Sequence, residues 1–312
     1  MKKNYLTKKS PSTSDNITVK TNTLFKAVIV FCLFVFNSSF GQGATCLSAT
    51  PINVNQNYTT FVISDNTVND PTPAACNGQN PVRDGWFSFI ANGTEAKVFA
   101  TATNRNPILY AYSGTCGSLN FLNCSNITTT TTGHTETLSL FGLTSGSTYF
   151  IRVGNSTANN MNLSSFVVIT NDKCSNALLL TSNTSCISIN GSTAGAADDN
   201  EVGDCTTGTE NAVWYQFQAV STTHVVTVTG ATGFDPVLNV ITNCGAATAP
   251  TGASCVNNTA DAGTETLTLT GLSIGSFYKI QVHDLQGDLM NNGFTICVTT
   301  PIPCSTPSAQ PT

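Results

Sequence analysis

Residues 135–143 read TETLSLFGL, and about 128 residues further on, residues 264–272 read TETLTLTGL. The agreement extends outward from this pair. Trp86-Phe87-Ser88-Phe89 returns as Trp214-Tyr215-Gln216-Phe217, Cys116-Gly117 as Cys244-Gly245, and Leu143-x-x-Gly146-x-x-Tyr149 as Leu272-x-x-Gly275-x-x-Tyr278. A period this long marks a duplicated domain rather than a solenoid coil, because a unit of that size can bury its own core. The duplication is also an internal control. A residue held by one copy and missing from the other is a poor candidate for what the two copies do in common.

Both units read as all-β. Short runs rich in Thr, Val, Ile, Phe and Tyr are separated by Asn, Gly, Ser and Asp clusters, and no sustained 3.6-residue apolar period occurs between residues 46 and 300. The pattern predicts strands near 58–64, 85–91, 95–102, 107–113, 134–141, 147–153 and 163–170 in the first copy. In the second it predicts 186–190, 212–219, 223–229, 236–242, 264–270, 276–282 and 293–299. Seven or eight strands per unit suit a sandwich of two sheets, each with one buried face. Alternation turns Phe87, Phe89, Tyr215 and Phe217 inward, together with Leu138, Leu140, Leu267 and Leu269. Tyr149 and Tyr278 have the placement of a tyrosine corner, in which a phenol hydroxyl bonds nearby backbone and fixes a strand crossing.

Residues 1–41 read as a secretory signal peptide rather than part of the fold, with a short membrane anchor as the alternative. Six lysines precede or flank the apolar run Ala27 to Phe36, which is too short to span a bilayer, and Ser39-Phe40-Gly41 supplies small residues for cleavage before Gln42. Six of the 12 basic residues fall in this leader, against one of the 17 acids, so the remainder carries a formal charge of −10. Such an acidic chain, without a basic patch, excludes nucleic acid as a partner and predicts no membrane insertion after cleavage. It is compatible with divalent cations.

One of the 12 cysteines, Cys32, lies in the leader. For the others the exported context favours disulfides over zinc, and no Cys-x-x-Cys pair is present. Comparison of the copies suggests Cys46 with Cys76, Cys116 with Cys124, Cys174 with Cys205 and Cys244 with Cys255, and leaves Cys186 and Cys297 to join each other. Spacing alone does not fix connectivity. Cys304 is left over where a third unit would begin, so residues 301–312 are read as a linker to a further domain; a free or intermolecular thiol is the alternative.

Catalytic chemistry is poorly represented. His134, His224 and His283 each lack a counterpart in the other copy, and there is no His-Glu-x-x-His, no Gly-x-Ser-x-Gly and no phosphate-cradling glycine loop. The best candidate for a site is the acidic loop with Asp198, Asp199, Glu201 and Asp204, whose oxygens suit Ca²⁺, although a solvated charged loop is the favoured reading. Asp65, Asn66, Asn69 and Asp70 are a weaker version in copy one, and Asp284, Asp288, Asn291 and Asn292 form a second acidic loop. Trp86 and Trp214 fall on the face opposite the inferred core. They are either an aromatic platform for sugar rings or, the favoured reading, tryptophans covered by a loop pinned by the Cys46–Cys76 or Cys174–Cys205 bridge.

The Trp-[Phe/Tyr]-x-Phe strand, the turns into Pro107-Ile108-Leu109 and Asp235-Pro236-Val237-Leu238, the Cys-Gly loop and the ending from Leu272 to Val282 resemble the bacterial pre-peptidase C-terminal domain family and related secreted jelly-roll modules. The resemblance covers roughly residues 46–300 in two copies. It implies jelly-roll-like sandwiches acting as non-catalytic accessory domains of secreted proteases and surface proteins, some of which bind polymers or calcium. The chain departs from the pattern at Asn106, where copy two has Asp235.

The resulting expectation is a signal peptide at 1–41, one sandwich at 42–172, a second at 173–300 and a linker at 301–312. The function expected is a secreted or cell-surface binding or adhesion module for a glycan, extracellular polymer or surface protein, with Ca²⁺ as the candidate ion. The alternative is the accessory amino-terminal region of a secreted hydrolase, a peptidase, whose catalytic domain lies beyond Thr312.

Overall fold

The TETLSL alternation becomes the edge strand of a four-stranded sheet. The computed structural model describes residues 43–64, 75–127, 134–197, 211–245, 255–285 and 293–301. Copy one contains β1 (Thr50–Pro51), β2 (Phe61–Ile63), β3 (Arg83–Ile90), β4 (Glu95–Ala102), β5 (Ile108–Thr115), β6 (Ser118–Ser125), β7 (Thr135–Phe141), β8 (Thr148–Asn155) and β9 (Met161–Ile169). Copy two contains β10 (Leu178–Leu180), β11 (Ser182–Asn183), β12 (Ile189–Gly191), β13 (Ala212–Gln218), β14 (His224–Gly230), β15 (Pro236–Ile241), β16 (Cys255–Val256), β17 (Thr264–Leu269), β18 (Phe277–Asp284) and β19 (Phe294–Thr299).

In copy one the sheets run β1-β3-β8-β5-β6 and β2-β9-β4-β7; in copy two they run β10-β13-β18-β15-β16 and β11-β19-β14-β17, with β12 also on β19. Without the short parallel β1, copy one has eight strands that cross repeatedly from one sheet to the other, which is the double Greek key of a jelly roll. The protein is therefore all-β, with two tandem jelly-roll-like sandwiches. Phe87, Phe89, Leu138 and Leu140 enter the first core with Ile151, Val153 and Phe166. Tyr215, Phe217, Leu267 and Leu269 enter the second with Ile280, Val282 and Phe294.

The Leu-x-x-Gly-x-x-Tyr motif builds the same turn in both copies. Gly146 (φ 83°) and Gly275 (φ 88°) take left-handed backbone, which favours glycine. Their amides donate to Ala91 O and Ala219 O, both at 2.7 Å. The hydroxyls of Tyr149 and Tyr278 accept from Thr144 N at 2.8 Å and Ser273 N at 2.9 Å, closing the tyrosine corner.

The disulfides correct the pairing suggested by the repeat. Cys46 joins Cys116, Cys76 joins Cys124 and Cys174 joins Cys244, while Cys186 joins Cys297. The reason is β6, which the sequence pattern did not reveal. Cys116 lies in the turn before it and Cys124 near its far end, so the two stand roughly 20 Å apart at about 3.3 Å per residue. A disulfide requires a Cα separation of about 5–6 Å, and each end of the strand instead reaches a different neighbour. Cys255 is also disulfide-bonded; Cys205 and Cys304 lie outside the described residues.

The two sandwiches belong to one compact unit. Past a register shift at Thr101/Ala102, opposite β9, Phe166 and Val168 face the first core, while Val167 and Ile169 pack outward into the second cluster with Ala194, Ala196 and Phe99. Lys97 Nζ meets Asp172 Oδ2 at 2.6 Å, Lys173 Nζ meets Glu95 Oε2 at 2.9 Å, and Thr94 Oγ1 donates to Asn176 Oδ1 at 3.1 Å. Copy one's outer sheet face, the linker and copy two thus form a continuous junction.

Candidate functional site

Trp86 and Trp214 occupy the same register position in their copies, opposite Arg152 and Gln281 on the next strand. Both are fully buried, which removes them as a ligand platform. They do lie outside the main cores. Trp86 packs with Cys46, Cys76, Ile108, Tyr110 and Tyr112, and Trp214 with Cys174, Ala177 and Ile241. Cys46–Cys116 and Cys76–Cys124 over Trp86, and Cys174–Cys244 over Trp214, hold the cover in place of Cys46–Cys76 and Cys174–Cys205.

The polar groups beside the two tryptophans differ. In copy one the Arg152 guanidinium pairs with Asp84 in the interior and lies 5.3 Å from the Trp86 ring centroid. Burial raises the Asp84 carboxyl above its ordinary value even though Arg152 pulls it down. Copy two has Ala212 for Asp84, Gln281 for Arg152 and Asn239 for Tyr110, and Asn239 Nδ2 donates to Gln281 Oε1 at 3.3 Å. A buried ion pair in one copy is an amide pair in the other, so this position carries no shared chemistry.

One polar element is common to both copies and was not among the sequence-predicted site residues: the glutamate of TETL. Glu136 and Glu265 are buried and bind the chain leaving the preceding strand. Glu136 Oε2 accepts from Ser125 Oγ at 2.7 Å and Ile127 N at 2.9 Å. Glu265 Oε1 accepts from Asn258 N at 2.7 Å, Thr259 N at 2.6 Å and Thr259 Oγ1 at 2.8 Å. Recurrence in both copies was the available signal. With one oxygen of each held by backbone amides and a hydroxyl, these carboxylates position loops.

His224 and His283 are buried as well. Desolvation lowers His224 and brings His283 down to about 4, so both are neutral at ordinary pH. His224 Nε2 accepts from Val220 N at 3.3 Å. Around the Asp235-Pro236 turn, Asp284 Oδ1 accepts from Asp235 N at 2.9 Å. Burial, then the charges of Asp284, Glu265 and Asp261, raise the Asp235 carboxyl. Among the described residues no group of three or more His, Cys, Asp or Glu is arranged to hold a metal. Asp198, Asp199, Glu201 and Asp204 lie outside the described residues, as do Asp65, Asn66, Asn69, Asp70, Asp288, Asn291 and Asn292. Among the described residues, no helix is long and apolar enough to cross a membrane.

The junction carries an open cleft of about 180 Å³, lined by β4, β7 and the linker. Around it stand Glu95, Lys97, Ser139 and Phe141 on the outer face of β4 and β7, with Lys173 and Asn176 of the linker. Phe141 is 65% exposed, and Lys173 Nζ sits 5.6 Å from its ring centroid. Sequence reading did not select this place, because its residues come from β4, β7, the end of β9, the linker between the copies and Ala197 of copy two.

Among solved structures, the chain is similar to a candidate secreted protein from Eubacterium rectale, at 8% identity over 78% of this chain and 72% of that one, with a TM-score of 0.22. It is also similar to tripeptidyl peptidase 2, at 11% identity over 78% of this chain and 24% of that one, with a TM-score of 0.20. No curated protein sequence matches the chain. A family described as galactose-binding-domain-like and T9SS-associated matches residues 42–168 and 170–296. This match supports the tandem sandwiches but not the pre-peptidase C-terminal family specifically. Each copy is one unit of that pattern, and the chain belongs to the T9SS-associated galactose-binding-domain-like family.

Proposed function

We propose that this chain is a non-catalytic, secreted or cell-surface binding module that presents two coupled jelly rolls to an extracellular carbohydrate. The observation that carries the reading is the galactose-binding-domain-like pattern, present twice and spanning both sandwiches. The disulfides support an oxidising, extracellular setting. Two of the three histidines are desolvated inside the sheets rather than set in a cleft with a nucleophile, which favours binding over hydrolysis. The oxygen-rich sequence from Asp198 to Asp204 supports Ca²⁺ as an accessory ion.

The test is a glycan array probed with the purified chain in Ca²⁺ and again in EGTA. Reproducible binding to one sugar class is expected, weakened by EGTA. A blank array in both conditions, with the protein folded by circular dichroism, would overturn the carbohydrate reading. Equal signals in both conditions would remove the ion alone.

A further inference from the structure

The comparison between copies, which discounts single-copy residues for any shared role, points the other way at the junction. A site made by the pair must be built from residues that the two copies do not share. The cleft meets that condition: Glu95, Lys97 and Phe141 are replaced at the matching positions of copy two by Thr223, Val225 and Thr270. Lys97 is accounted for by its ion pair with Asp172 across the junction. Phe141 is not accounted for in this way. It is the last residue of an edge strand, and with most of its ring open to solvent it gains little from folding.

We infer that the junction cleft is a binding site for a single uncharged pyranose ring, stacked on Phe141. This rests on the carbohydrate reading above and locates it. The two lysines and two carboxylates at the cleft form two ion pairs, Lys97–Asp172 and Lys173–Glu95, so there is no net charge to select an ion. They do supply donors and acceptors side by side, as sugar hydroxyls require. Asn176, whose Oδ1 accepts from Thr94, adds an amide at the rim. The Lys173 ammonium lies over one face of the Phe141 ring and restrains the aromatic side chain, lowering the ordering cost when a sugar stacks on the other face. A cleft of about 180 Å³ is small beside the roughly 300–1,000 Å³ of drug-sized pockets and fits one ring rather than a chain of sugars.

The experiment uses the full chain with methyl glycosides of galactose, glucose, mannose and N-acetylglucosamine, read by saturation-transfer NMR and calorimetry. Variants are Phe141→Ala, Phe141→Trp, and Thr270→Ala as the matched control in copy two. Phe141 is exposed, so all variants should melt with the parent. The expected result is binding of at least one glycoside, weakened about tenfold or more by F141A, kept within about threefold by F141W and unchanged by T270A. Binding that survives F141A within about twofold overturns this location and leaves the carbohydrate reading standing. No binding of any glycoside by the parent overturns the site and counts against the reading as well.

Discussion

Replacing Asp84 and Arg152 with the residues that copy two holds at the same positions should cost far less than replacing Asp84 alone. Asp84 and Arg152 are both buried, and the Asp84 carboxyl lies above its ordinary value, because its desolvation outweighs the attraction of Arg152. The pair is therefore a poor net stabiliser, yet neither charge can be left alone. D84A strands a guanidinium between Trp86 and Tyr110, where strands β3, β8 and β5 pair, and an uncompensated buried charge costs about 3–5 kcal/mol. The double change D84A/R152Q reproduces Ala212 and Gln281 of the second copy, and should fall within about 1 kcal/mol of the parent. R152Q alone strands the carboxyl in turn, so the coupling between the sites is at least about 3 kcal/mol. Urea denaturation at pH 7, followed by fluorescence of the two tryptophans, measures all four proteins. The pH dependence gives a second readout. A carboxyl raised on folding contributes its stability below its unfolded value and loses it as pH rises through the folded one, a dependence absent from the double variant. If D84A costs under about 1 kcal/mol, or the two single costs simply add, the desolvation argument is wrong.

Other outcomes follow from the same structure. His283, lowered to about 4 on folding from an ordinary value of 6.5, contributes stability above pH 6.5 that is lost as the pH falls toward 4. The loss is about 3 kcal/mol, and H283Q should flatten that part of the stability profile. Non-reducing peptide mapping should recover Cys46 with Cys116 and Cys174 with Cys244. Removing either 70-residue bridge by paired serine substitution should cost about 4 kcal/mol in the loop-entropy account; recovery of a Cys46–Cys76 peptide would contradict the fold of β6. Gly195 has φ 77°, and a Cβ there would stand 3.0 Å from Phe99 Cβ. G195V should therefore loosen the junction and split one thermal transition into two; an unchanged single transition would refute the coupling of the sandwiches.

Much of this fold was legible because the sheets are antiparallel with one face toward each core, so burial alternates along a strand. In β4 and β14 the alternation is complete, and the predicted strands 95–102 and 223–229 lie on them. The two tyrosine corners were legible for a local reason: a left-handed glycine and a phenol hydroxyl act within six residues of one another. β6 was not legible. Ser-Leu-Asn-Phe-Leu-Asn-Cys-Ser is an edge strand, mostly exposed, so no core imposed alternation on it, and its asparagines are disfavoured in strands.

The sequence by itself determined the duplication, the all-β class, the inward side chains of the main cores and the face on which the tryptophans lie. Each of these depends on residues close together in the chain, whose side chains alternate with the pleat. Only the tertiary structure decided that the bridges cross, that both indoles are sealed, and that a cleft opens where two copies meet. Cys46 finds Cys116, and Phe141 neighbours Lys173, because strands remote in sequence are brought together by sheet pairing and packing. That proximity depends on how the sandwich closes, which local periodicity does not encode.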